Sequence, residues 1–178
     1  MDNAQLIKLF DSGENLKFLF LWGHQKSDSV TKSCFGQWYE ISFEIEGVTY
    51  HNAEQFMMAQ KALLFKDHDI YNQIISSSKP GKVKELGRQV RNFDQQVWED
   101  NRFDIVVRGN YHKFFQNKEL STFLINTNDR ILVEASPVDT IWGVGLAQDD
   151  ERVLNPNLWK GQNLLGYALM EVREQIQQ

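Results

Sequence analysis

The sequence predicts an α+β fold, mainly α-helical, with a small β-hairpin or sheet beside a helical core, and three observations predict it. First, YHNAEQFMMAQKALLF (50–65) holds no Pro or Gly and no β-branched residue, so nothing opposes helix along it. Second, the segment just before it, QWYEISFEIEGVTYHN, alternates apolar and polar residues on both sides of Glu46-Gly47, the pattern of a hairpin turning at Gly47. Third, 178 residues suit one domain with a full core. No repeat, low-complexity tract or linker divides the chain, so residues 1–178 read as a single domain.

The 50–65 helix is the centre of the pattern. Asn52 is a good N-cap, and Gln55 three residues later reaches back as a capping-box partner. Phe56, Ala59 and Leu63 fall on one face and Met58 and Phe65 on the opposite one, so the helix is buried nearly all round. Glu54 and Lys61 share the stripe of Met58 and Phe65. A carboxylate and an amine on a core helix are costly unless paired, hydrogen-bonded or facing a pocket. Two readings stand: the floor of a site, or a structural ion pair.

In chain order, Met1 to Phe10 predicts a short helix and Leu16 to Trp22 a buried strand. A polar loop follows, and then the hairpin. A second helix runs from about Asp69 to Ile75. Pro80-Gly81 opens a third, interrupted by Gly87. Asp94 caps a long helix from about Gln95 to Gln116, with Val97, Trp98, Ile105, Val106, Phe114 and Phe115 inward. Glu119 to Asn126 is helical and Ile131 to Glu134 a brief strand. A glycine-rich stretch, DTIWGVGL (139–146), and an acidic loop precede a final amphipathic helix. Leu165, Leu169, Val172 and Ile176 are in register on it, with Asn163 as its cap.

Composition excludes several classes. A net charge of −5 disfavours nonspecific binding to a nucleic-acid backbone or an anionic membrane. One cysteine, Cys34, rules out an intrachain disulfide and fits a reducing, cytoplasmic setting. The N-terminus is neither a signal peptide nor a transmembrane span. No GxGxxG or GxxxxGK[ST] loop occurs, and His24, His51, His68 and His112 show no HExxH or HxH spacing. With no GxSxG elbow either, a hydrolytic metal site and a serine triad are both disfavoured, and no cofactor is expected.

FLWGH (20–24), QWYEISFEIEGVTYHNAEQFMMAQKALLF (37–65), LGRQV, FDQQVWE, ILVEASPVDTIWGVGL and WKGQNLLGYALMEVRE follow one another in an order that resembles the NADAR family, which includes the YbiA-like N-glycosidases. The resemblance spans about Phe18 to Glu174. It implies a mainly helical mixed fold around a pocket for a ribosylated or ADP-ribosylated ligand, and breakage of a bond between ribose C1 and a nitrogen. Two substrates go with the family: ADP-ribosylated guanine in nucleic acid, and the ribosylamino-pyrimidine intermediates of riboflavin synthesis. The family's core-helix glutamate and lysine fall on Glu54 and Lys61. Its Asp-x-x-Trp-Gly element falls on Asp139, Trp142 and Gly143, and its long-helix tryptophan on Trp98. Gln55 stands where the YbiA branch has His, and QWY where that branch has Ser-Asn-Phe. The chain is thus closer to the branch reading AEQ-x-MMA-x-KA, which favours ADP-ribosyl-guanine over the riboflavin intermediates.

Cleaving an N-glycosidic bond builds positive charge on C1 and negative charge on the leaving nitrogen, so it calls for a carboxylate and an acid. Glu54 and Asp139 are the candidates; Asp139 is otherwise a loop-capping aspartate. Lys61, if neutral, can attack the aldehyde of a base-free ribose as a Schiff-base nucleophile, or it pairs with Glu54 or a phosphate. Trp22, with Gly23 beside it, and Trp142, with Gly143, are candidates to hold base or ribose, while Trp98 supports them. Arg88, with Arg108 as rival, is a candidate phosphate contact. The 161–166 segment, with Gly161 and Asn163, resembles a phosphate-binding helix start or is a plain turn and cap. His24 is a candidate acid or an incidental loop histidine. A non-catalytic ADP-ribose or NAD sensor needs the aromatic walls and phosphate contacts but not Glu54.

Overall fold

The computed structural model describes residues 1–23 and 29–178. Its elements run α1 (Asn3–Asp11), β1 (Phe18–Leu21), β2 (Phe43–Ile45), β3 (Val48–Tyr50), α2 (Ala53–Leu64), α3 (His68–Ile75), α4 (Pro80–Gly87), α5 (Gln95–Phe115), α6 (Lys118–Ile125), β4 (Ile131–Glu134) and α7 (Leu164–Gln177), with short 3-10 turns at Lys32–Phe35, Glu151–Leu154 and Pro156–Leu158. The mainly helical α+β expectation holds. The chain divides into two compact units, Gln37–Ser121 and the pair of segments Met1–Gly36 with Thr122–Gln178.

In the Gln37–Ser121 unit, α2 packs against α3, α4 and α5. Residues 53–59 are all buried, as a helix apolar on every side requires. Close approach is made possible by two glycines. A Cβ on Gly87 would lie 2.0 Å from Met58 Sδ, and one on Gly109 would lie 2.5 Å from Phe56 Cδ1. The hairpin turns through two residues, Glu46 and Gly47, both at positive φ, as the right-handed twist of β2 and β3 demands. Its Phe43 and Tyr50 stack beside Phe56.

The Asn52 cap is present, its side chain accepting from Gln55 N at 2.9 Å. Gln55 departs from a simple capping box. Its Oε1 accepts from His51 N at 2.7 Å, and its Nε2 donates to the carbonyls of Ile74, Ile75 and Ser77. One buried amide thereby supplies partners to the end of α3. Asp67, the N-cap of α3, accepts from Ile70 N and from the backbone and guanidinium of Arg91, tying α3 to the segment after α4.

Three inward assignments fail. Val97 and Phe115 are exposed because the stripe that α5 buries runs through Trp98, Arg102, Val106, Asn110 and Phe114, and each lies about 100° off it. Leu63 emerges at the end of α2 and is also exposed.

In the other unit, β1 and β4 form a parallel pair in the register Phe18↔Ile131 through Leu21↔Glu134. The helix α7 packs on β4, and a Cβ on its Gly166 would lie 2.1 Å from Leu132 O. Asp2 and Gln5 form a full capping box on α1. Asn3 of that helix donates to Gly161 O and accepts from the Tyr167 hydroxyl. No helix among the described residues is long and apolar enough to cross a membrane.

Candidate active site

Within the Gln37–Ser121 unit the candidate residues gather around α2. Glu54 lies in its first turn, 3% exposed, with its backbone N–H donating to Gln37 O at 3.0 Å. A carboxylate there sits at the positive end of the helix dipole. Lys61 is two turns on, about 10 Å along the helix axis. Its Nζ donates to Gly87 O at 2.9 Å and lies over the rings of Phe93 (4.4 Å) and Trp98 (5.5 Å). Lys61 therefore forms a hydrogen bond and two cation–π contacts, and no ion pair with Glu54 accounts for its place on the core helix. Burial pushes its ammonium below the ordinary lysine value, which raises the neutral fraction of the amine.

Trp98 is brought to Lys61 as part of this aromatic wall and is itself buried. Arg88 follows Gly87 as the C-cap of α4 and is exposed, with no side-chain hydrogen bond or ion pair among the described residues. Its rival Arg108 donates to Glu46 at 2.8 Å. Of the two candidates, Arg88 is the one without a side-chain partner among the described residues.

The second group lies at one end of the β1–β4 pair. Asp139 Oδ1 accepts from the N–H groups of Ile141 (2.9 Å) and Trp142 (2.8 Å), and its carbonyl accepts from Gly145 N (3.1 Å). The capping expected of this aspartate is real, and it fixes the turn that carries Trp142. Gly143 lets that turn lie flat on the end of β4: a Cβ there would stand 2.8 Å from Glu134 O and 2.9 Å from Asp139 O. Val144 N then donates to Glu134 O at 2.9 Å. Trp22 follows β1 directly at the same end of the sheet and is 57% exposed, with Gly23 at φ +87° beyond it.

This group includes a carboxylate that the motif reading missed. Glu134 ends β4; its Oε2 is shielded from solvent and has no hydrogen-bond partner among the described residues. Burial first, and the Asp139 charge second, push its carboxyl up to about 8. The available signal was a charge closing the otherwise apolar strand ILVE five residues before Asp139.

Two ligand assignments are corrected. The N–H groups at the start of α7 are not free for a phosphate: Gln162, Asn163, Leu164 and Leu165 donate to the carbonyls of Thr140, Gly143, Ile141 and Trp142. Gly161 is buried in that union, where a Cβ would meet Gly143 O at 2.2 Å. Asn163 does precede the helix, at φ +55°, but makes no side-chain cap. It is fully buried, accepting from Glu134 N at 3.0 Å and donating to Leu132 O at 2.9 Å. Both residues pack against the 139–143 turn, and Asn163 also ties it to β4. His24 lies outside the described residues. Among the described residues, no three of His, Cys, Asp and Glu are grouped to hold a metal ion.

Known proteins resemble this chain in sequence and fold. The NADAR domain family matches residues 20–177. An N-glycosidase of Acanthamoeba polyphaga mimivirus is 43% identical over 170 residues, covering 93% of this chain and 99% of that protein. The N-glycosidase YbiA of Escherichia coli is 31% identical, covering 81% of this chain and 79% of its own length. The NMR structure of E. coli YbiA superposes with a TM-score of 0.73 at 26% identity, over 90% of this chain and 85% of that one. Family match, sequence relatives and fold agree, and the chain belongs to the NADAR family.

Proposed function

We propose that the protein is an N-glycosidase that hydrolyses a ribose C1–nitrogen bond without a metal, releasing ADP-ribose from ADP-ribosylated guanine. The observation that carries the reading is the pairing on one helix of a buried carboxylate, Glu54, with a lysine that burial biases toward the neutral amine. The N-glycosidase names of its relatives support the bond type. Gln55 supports the substrate: its amide is wholly engaged by backbone at the position where the YbiA branch carries histidine, so this branch has a structural residue in that place.

In this reading Glu54 stabilises the charge that grows on C1 and directs the incoming water. Arg88, in the same unit as Glu54, takes the diphosphate. Lys61 acts once the base has gone. The ribose opens to its aldehyde, the neutral amine adds to C1, and water leaves to give an imine. A second water hydrolyses the imine, returning amine and sugar.

The test is a paired assay with EDTA present. Wild type and Glu54→Gln are offered an ADP-ribosylated guanine oligonucleotide and a ribosylamino-pyrimidine phosphate. Free ADP-ribose released by the wild type and not by the variant is the expected result. Cleavage of the pyrimidine alone moves the substrate to the riboflavin intermediates, and binding without cleavage makes the protein a sensor. Loss of activity in EDTA, restored by a divalent cation, overturns the metal-free claim. Borohydride during turnover is expected to fix the sugar on Lys61; an unlabelled protein removes the imine.

A further inference from the structure

We propose that Gln37 and Asn110 form the sugar subsite of the reaction, their side-chain amides hydrogen-bonding the 2- and 3-hydroxyls of the ribose whose C1–N bond is cut. The inference rests on the glycosidase reading above and adds to it the residues that recognise a vicinal diol.

Two observations carry it. The first is position. Gln37, Glu54 and Asn110 lie in one compact unit. Gln37 O accepts from the Glu54 N–H at 3.0 Å, which seats residue 37 on the first turn of α2. Its side-chain Oε1 accepts from Asn110 Nδ2 at 2.9 Å. Asn110 comes close to α2 because its neighbour on α5 is Gly109, where a Cβ would lie 2.5 Å from Phe56 Cδ1. Three residues further along α5 the Lys113 ammonium lies over the Tyr39 ring, 5.6 Å from its centroid, so the 37–39 segment follows α5. Both amides are held at the turn that carries the buried Glu54. A carboxylate that directs water to C1 works from the face opposite the leaving base, so groups at its turn meet the sugar and not the base.

The second is what the amide pair leaves unmade. Asn110 is fully buried. Its Nδ2 directs one proton to Gln37 Oε1 and the other to Val106 O, each at 2.9 Å. The Val106 carbonyl can only accept, so it fixes which end of the Asn110 amide is nitrogen, and Asn110 fixes Gln37 in turn. Left over are Asn110 Oδ1 and Gln37 Nε2, both shielded from solvent and without a hydrogen-bond partner among the described residues. One is an acceptor and the other a donor, and each is costly to leave unmet. A vicinal diol meets both. One hydroxyl donates to Asn110 Oδ1, and its neighbour accepts from Gln37 Nε2. A phosphate meets only one, because its oxygens accept and have nothing to give Oδ1.

The experiment compares wild type, Gln37→Met and Asn110→Ala on two compounds. One is an ADP-ribosylated guanine oligonucleotide. The other lacks the 2- and 3-hydroxyls of the ribose joined to guanine. Each compound is compared with itself across the three proteins, so the greater lability of the deoxygenated bond cancels. On the ribose compound kcat/KM is expected to fall about 10- to 100-fold in each variant. On the dideoxy compound it is expected to fall by less than about threefold, since the lost partners are absent there already. Equal losses on both compounds, or no loss on the ribose compound, overturn the subsite and leave the glycosidase reading intact. A wild type inert on the ribose compound overturns the two together. Residue 37 is only half-buried, and Gln37→Met keeps the side-chain length, so that variant serves where Asn110→Ala does not fold. Should neither variant fold, or the dideoxy compound react too slowly to follow, calorimetry on the wild type decides. Binding of ADP-ribose at least about tenfold tighter than of ADP-ribose lacking those hydroxyls on its terminal ribose supports the subsite. Equal affinities, or no binding of either, overturn it.

Discussion

Asn163 is expected to be among the most sensitive positions outside the apolar core. The side chain is fully buried and makes two hydrogen bonds, to Glu134 N at 3.0 Å and Leu132 O at 2.9 Å. Truncation orphans a backbone donor and an acceptor at about 1–3 kcal/mol each, so Asn163→Gly should lose about 3 kcal/mol. Asn163→Ala should lose about 1 kcal/mol more, because the residue sits at φ +55°, where a Cβ crowds the carbonyl. For a chain of this length, 3 kcal/mol lowers Tm by about 6–12 °C. Urea unfolding of wild type, Asn163→Gly and Asn163→Ala measures both steps. A loss under about 1 kcal/mol for the glycine variant would refute the hydrogen-bond argument. Equal losses for the two variants would refute the backbone one.

Other perturbations test other joints. Gly87→Ala places a methyl 2.0 Å from Met58 Sδ and shifts the carbonyl that holds Lys61; a loss of about 1–3 kcal/mol is expected in the same unfolding assay. Trp22→Ala removes an exposed ring, so Tm should stay within a degree or two, which thermal unfolding of the variant checks. Asp67 is held well below the usual carboxylate range by Arg91. A depressed folded value means its stabilisation is complete above the ordinary value near 3.8 and disappears as pH falls below it. Asp67→Asn should therefore flatten the acid side of the stability profile, which a series of urea midpoints from pH 6 to pH 2 measures.

Much of the fold was legible because local rules and burial agree. The limits of α2, the Glu46-Gly47 turn and the Asp94 cap each follow from a residue whose backbone or side chain permits one geometry. What was hidden depends on partners distant in sequence. Periodicity marks 131–134 as a strand but cannot say that it pairs in parallel with 18–21. The start of α7 reads as a set of open N–H groups because the carbonyls that fill them belong to a turn twenty residues upstream. Glu54 and Lys61 stand out as charges on a core helix, and Asp139 through the Asp-x-x-Trp-Gly element of the family it resembles. Glu134 does not, since a glutamate at a strand end is ordinarily solvated, and only the fold of the 139–143 turn takes its water away. Phe114 and Phe115 both read as inward from composition alone, although only Phe114 lies on the stripe that α5 buries through Trp98, Arg102, Val106 and Asn110.

Parallel pairing of β1 with β4 ties the order of folding to the order of synthesis. The unit from Gln37 to Ser121 is continuous in the chain and has β2, β3 and α2 to α5 complete once Ser121 has been made. The β1 strand is translated before all of them, yet it must wait for residues 131–134, and the loop closed by that pairing contains the whole of the other unit. Closing so long a loop is slow compared with the nearby contacts of α2, α3 and α4. On the ribosome, then, Phe18–Leu21 is a nascent apolar strand with no partner until residues 131–134 emerge, after the whole of the Gln37–Ser121 unit.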